Sequence, residues 1–135
     1  MRIQKREIPI HIRRLEALSR RLMKSHPAFH KVHENLLRQR AGYQGEKAID
    51  YYLKYLPKEE YLVLHGLRLF DGVGYFQIDY LIISKSFILV IEVKNIFGTL
   101  LFDPEFNQCI RISQDKEEGF KDPILQVERQ KNQLI

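Results

Sequence analysis

YFQIDYLIISKSFILVIEVK, residues 75–94, is the stretch on which the fold turns. Its halves, YFQIDYLIIS and FILVIEVK, are rich in Ile, Val, Phe and Tyr and predict two strands. In the second, Phe87, Leu89, Ile91 and Val93 fall on one face and Ile88 and Val90 on the other. A strand apolar on both sides is expected in the middle of a sheet covered by helices. Glu92 and Lys94 then continue a buried row as charges, and Asp79 interrupts the apolar string of Ile78, Tyr80, Leu81, Ile82 and Ile83. With Lys85-Ser86 as a two-residue hairpin loop, Ser84 faces Phe87 and Asp79 faces Glu92. A three-residue loop would shift the register by one and turn one carboxylate to the other side. Opposed residues have Cβ atoms about 4.5–5.5 Å apart, so like charges there destabilise a sheet by up to about 1 kcal/mol, and by more when desolvated. A divalent cation would compensate, because two carboxylates and a main-chain carbonyl make the hard oxygen site that Mg²⁺ takes with waters and a phosphate oxygen. Lys94 lies on the Glu92 face, where an ammonium could reach a phosphate or an attacking water. Such a set suits phosphodiester hydrolysis. The same residues also read as a solvated sheet end with ordinary ion pairs.

Outward from this hairpin, LVLHGLRLF precedes it as a strand with DGVG as a turn, and TLLF and QCIRIS follow it, for up to five strands in all. DKEEG reads as a polar loop. Asp122-Pro123 has the form of a helix N-cap with Pro at the first helical position, opening ILQVERQKNQLI. Upstream, EKAIDYYLKYL carries Ile49, Tyr52, Leu53 and Leu56 at the spacing of one buried helix face, ended by Pro57. Gly42 and Gly45 mark a break before it, and a domain boundary is expected near Ala41. Residues 1–40 then form a basic helical segment and residues 41–135 a separate domain.

Charge supports that division. Residues 1–40 hold 11 Lys/Arg against 3 Asp/Glu, a balance of +8, whereas residues 41–135 hold 11 against 14, a balance of −3. Ile8, Ile12, Leu15, Leu18 and Leu22 share one helix face, with Arg13, Arg14, Arg20 and Arg21 off that stripe. A second run from 29 to 40 carries Phe29, Val32, Leu36 and Leu37. Two basic amphipathic helices could grip a phosphate backbone, lie on an anionic membrane, dock on a protein, or simply pack as a hairpin with a solvated rim. With 44% hydrophobic and 29% charged residues in 135, the composition is that of a globular chain of one domain or slightly more. The single cysteine, Cys109, excludes an internal disulfide and a cysteine zinc site. It is expected in the core. No apolar leader or membrane span is visible, and a cytoplasmic location is expected.

Gly42-Tyr-Gln-Gly45-Glu46, then Gln77-Ile-Asp79, then Ile91-Glu92-Val93-Lys94-Asn95 with Gly98 three residues on, resemble the NERD (nuclease-related) domain. That family is similar in turn to the PD-(D/E)XK, or restriction-endonuclease-like, superfamily. The resemblance covers residues 41–135. It implies an α/β, restriction-endonuclease-like core, with a mixed, mostly antiparallel sheet of four to five strands flanked by helices. It also implies that Asp79 and Glu92 hold a Mg²⁺ ion (Mn²⁺ as substitute) with the Val93 carbonyl as third ligand. Lys94 is then the catalytic lysine, and Glu46 the acidic residue of the first core helix. Gln126 matches a glutamine that binds phosphate or water. The superfamily continues past this helix into a further strand that is absent here, which leaves a truncated domain, a smaller sheet, or one completed by a homodimer or another chain. The expected function is a metal-dependent nuclease acting on DNA before RNA, with Arg13, Arg14, Arg20 and Arg21 as nucleic-acid contacts. Its rivals are an inactive nucleic-acid-binding module and an interaction domain working through the N-terminal helices.

Overall fold

The apolar stripe near the N-terminus folds as helix α1 (Ile10–Arg21), and the chain turns at Pro27 into α2 (Phe29–Leu53). The two pack against each other, each burying one residue fully, Ile12 and Leu36, which contributes about 1.5–3 kcal/mol apiece. Arg40 pairs with Glu16 across them at 2.8 Å. The computed structural model describes residues 6–135; residues 1–5, part of the expected 1–40 segment and of the stretch read for a leader, lie outside the described residues.

The expected break at Gly42 and Gly45 is absent. α2 runs unbroken through both glycines for 25 residues, joining what were read as two helices. Gly42 faces open space, but Gly45 is where the helix meets the chain beyond β3: a Cβ there would sit 2.6 Å from the Asn95 Cβ. Here glycine serves close approach and interrupts nothing. The helix ends at Leu53, before Pro57, with tighter turns carrying the chain to Leu56.

Strands β1 (Leu62–Phe70), β2 (Tyr75–Ile83) and β3 (Ile88–Ile91) form one antiparallel sheet in the order β1-β2-β3. β2 pairs with β3 in the expected register, Tyr80 opposite Ile91 and Ile83 opposite Ile88, through the Lys85-Ser86 loop. β3 itself is an edge strand among the described residues, a correction to the central position expected from its apolar faces. Phe87, Ile88 and Leu89 are about half exposed, whereas Ile78, Tyr80, Leu81 and Ile82 of β2 are buried. β2 is the strand with a neighbour on each side, and burial follows that. One face of the sheet, with Val63, Tyr80 and Ile82, packs against Ile49 and Leu53 of α2 and against Leu56.

A second antiparallel sheet contains β4 (Thr99–Asp103), β5 (Gln108–Ser113) and β6 (Lys116–Lys121). The single sheet of four to five strands is therefore replaced by two sheets of three. The expected polar loop DKEEG is the turn and most of β6. Gln114 and Asp115 both take positive φ, 49° and 60°, which is the primed turn a two-residue hairpin uses. The charged residues beyond it pair as an edge strand, where charge protects an open rim. Cys109 is buried in β5, as expected. Helix α3 (Pro123–Leu134) begins at the expected cap, the Asp122 carboxylate accepting the Ile124 N–H at 2.8 Å.

Candidate active site

Side chains alternate along β2, so Asp79 points away from the face that carries Tyr80. Continuing the β2–β3 register one step past Tyr80–Ile91 brings Asp79 opposite Glu92, on the face where α3 lies. The regular ladder ends at Ile91, and beyond it the Asp79 Oδ2 accepts the Val93 N–H at 2.9 Å. The carboxylate thus occupies a place that a backbone carbonyl would hold. Glu92 is nearly buried, its side chain 5% exposed, and both its oxygens are engaged. Lys94 Nζ (2.5 Å) and Gln126 Nε2 (2.7 Å) donate to Oε1, and Gln130 Nε2 (2.8 Å) donates to Oε2. Gln130 also donates to the Gln77 carbonyl at 2.9 Å. Its own Oε1 is buried without a partner among the described residues.

Burial pushes the Asp79 carboxyl up to about 6, and the negative charges of Glu92 and Glu46 act in the same direction. The Val93 N–H and the Lys94 ammonium oppose them. Asp79 thus lies among acidic groups whose nearby cations are Lys94, on Glu92, and Arg6, on Glu46.

Glu46, on α2, is held from the other side. Arg6 Nη1 donates to its Oε2 at 2.5 Å, Arg6 Nε to Asp50 Oδ2 at 2.7 Å, and Arg6 Nη2 to the Tyr80 hydroxyl at 2.7 Å. That hydroxyl shares its proton between Asp50 and the Glu46 carbonyl. Burial alone would lift Asp50, but hydrogen bonds from Arg6 and Tyr80 hold it below the usual carboxylate range. Arg6, Asp50, Tyr80 and Gln130 are parts of this site to which the sequence reading gave no role. Asp50 follows Glu46 by one helical turn and Gln130 follows Gln126 by one, so both had a local signal; Arg6, 40 residues from Glu46, had none.

Two clefts border residues bonded within this site, though Asp79 and Glu92 line neither. One of about 920 Å³ includes Arg6, Glu46, His65, Arg68 and Gln77; the other, about 500 Å³, lies between β2 and α3 and includes Gln77, Lys121, Gln126, Arg129 and Gln130. Arg13, Arg14, Arg20 and Arg21 stand exposed on α1, with no ion pair among the described residues.

Residues 41–135 match the family model of the nuclease-related domain, NERD. The chain belongs to that family. No curated protein and no solved structure matches it. The NERD match spans every residue of the acidic site except Arg6, which reaches into it from outside the matched region. No helix of the described residues is long and apolar enough to cross a membrane.

Among the described residues no three His, Cys, Asp or Glu side chains are grouped so as to hold a metal ion by themselves. The donor set of this NERD site still fits a hard divalent cation. Asp79, Glu92 and the Val93 carbonyl offer only oxygen, and Mg²⁺ needs no more than one or two carboxylates when water fills its other positions. The unpartnered Gln130 Oε1 beside Glu92 is an acceptor that such a water can satisfy.

Proposed function

We propose that this NERD-family chain is a metal-dependent nuclease that hydrolyses phosphodiester bonds, in DNA before RNA. The observation that carries the reading is the meeting of Asp79 and Glu92 on one sheet face with the Lys94 ammonium between Glu92 and solvent. Asp79, Glu92 and the Val93 carbonyl would hold Mg²⁺, or Mn²⁺ in its place, with Glu46 oriented by Arg6 alongside. The bound cation would polarise the phosphate and make an attacking water more acidic.

The chain's own residues supply the rest. Lys94 is one-third exposed and can turn from Glu92 to a phosphate oxygen, where a cation stabilises the charge that develops in the transition state. Gln126 and Gln130 fix the Glu92 carboxylate, so that it presents the same geometry before and during reaction. Exposed Arg13, Arg14, Arg20 and Arg21 add sequence-independent contacts to the backbone.

One observation favours a second reading, a nucleic-acid-binding module without turnover: both Glu92 oxygens are already satisfied by Lys94 and the two glutamines. Plasmid and single-stranded DNA incubated with Mg²⁺ or Mn²⁺ separate the two. Wild type is expected to cleave, and Asp79→Ala and Lys94→Ala to lose roughly 100-fold or more in rate. DNA binding without cleavage in every preparation would establish the second reading.

A further inference from the structure

Beyond Lys94 the chain forms a short loop, Asn95 to Gly98, that both neighbours hold. Asn95 Nδ2 donates to the Ala41 carbonyl of α2 at 2.8 Å. At its other end Gly98 has φ +108°, and a Cβ there would meet the Ile112 carbonyl at 2.6 Å. Phe97 sits between these anchors and is 80% exposed. A phenyl ring held out on a loop anchored at both ends offers an apolar face to a planar group entering the adjoining cleft.

The ring borders the cleft between α2 and the second sheet, about 870 Å³, lined by Arg38, Asn95, Phe97, Arg111 and Phe120. Arg111 lies over the Phe120 ring at 5.4 Å and pairs with Glu118, so its charge is already matched. Arg38 has no ion pair among the described residues. An aromatic face and an uncompensated guanidinium in one cleft suit a ligand that has both a planar ring and an anion. Asn95, in the lining of this cleft, directly follows Lys94 in the chain.

We infer that this cleft is a subsite for an unpaired nucleotide of the strand presented to the acidic site, with the base stacked on Phe97 and the adjoining phosphate on Arg38. The inference rests on the nucleic-acid reading of the site but not on turnover. Stacking is sequence-tolerant, and a base inside a duplex has no free face to offer. The subsite therefore selects single strands, frayed ends or gaps over intact duplex. Arg38 precedes the residues matched by the family, so the N-terminal part of the chain shapes this selection.

The test is fluorescence anisotropy with the full chain in EDTA, which blocks cleavage, using labelled oligo-dT, oligo-rU and a duplex of equal length over a salt series. Wild type is expected to bind the single strands, and Phe97→Ala to weaken that binding about 5-fold or more with an unchanged salt slope. Arg38→Ala is expected to weaken it with a slope shallower by about 0.7. Because the chain contains no tryptophan, Phe97→Trp installs a single indole whose emission should be quenched by oligo-dT while affinity is kept. The dT and rU arms show which strand chemistry is preferred. Unchanged single-strand affinity in Phe97→Ala, unquenched indole, or no single-strand binding by wild type overturns the subsite. Loss of binding in Phe97→Ala by a protein that never cleaves would uphold the subsite and refute the nuclease reading. Cleavage with no effect of Phe97→Ala would do the reverse.

Discussion

Asp79 carries the clearest pH signature. Burial, with Glu92 and Glu46 nearby, holds its carboxyl near 6, above its ordinary 3.8, so the folded protein binds this proton more tightly than the unfolded chain does. Asp79 thus costs no stability below about pH 4, costs progressively more as pH rises to about 6, and costs the full amount above that. Asp79→Asn keeps an acceptor for the Val93 N–H and removes the charge. In EDTA it is expected to raise Tm at pH 7.5 and to leave it unchanged at pH 3.5; an equal shift at both would show that the charge is not the cause. Gly45 and Gly42 make a second contrast at this scale. Alanine is favoured over glycine in a helix interior by about 1 kcal/mol, so Gly42→Ala, facing open space, should stabilise by up to that amount in urea unfolding. Gly45→Ala should destabilise by about 1–3 kcal/mol, since its new methyl meets the Asn95 Cβ.

Among the elements, α3 has the most direct effect on the site, because Gln126 and Gln130 fasten it to Glu92. Its start is set by Asp122, and Asp122→Ala should cost about 1 kcal/mol, read as a lower urea midpoint at unchanged slope. The cap and the Pro at N1 were legible because each is a local signal. β3 and α2 were misread for a shared reason. Apolar alternation shows which faces of a strand are able to be buried, but its neighbours decide which are: Ile88 and Leu89 stay half exposed because no described strand pairs beyond β3. Glycines inside a helical pattern look like a break until the segment that needs their small size is in place. In DKEEG the polarity suggested a loop, whereas the pair Gln114-Asp115 makes the turn and the charges line an edge strand.

At the scale of the whole molecule, Arg6 ties the N-terminal segment to α2 and β2 through Glu46, Asp50 and Tyr80. Its side chain is 10% exposed, so Arg6→Ala strands two partly buried carboxylates. The substitution is expected to lower stability by about 2 kcal/mol in urea unfolding, with Arg6→Lys recovering only part because an ammonium lacks the forked geometry. Equal stability of wild type and Arg6→Ala would show that the segment is not fastened here. The two strands and their apolar rows were legible in the sequence alone, because alternation is short-range; the structure chose the two-residue loop over the three-residue one, and with it the register that sets Asp79 opposite Glu92. The division into two sheets, the exposed edge of β3 and the Arg6 bridge to Glu46 were decided only by tertiary structure. They depend on contacts between residues far apart in the chain, for which no local pattern of side chains exists.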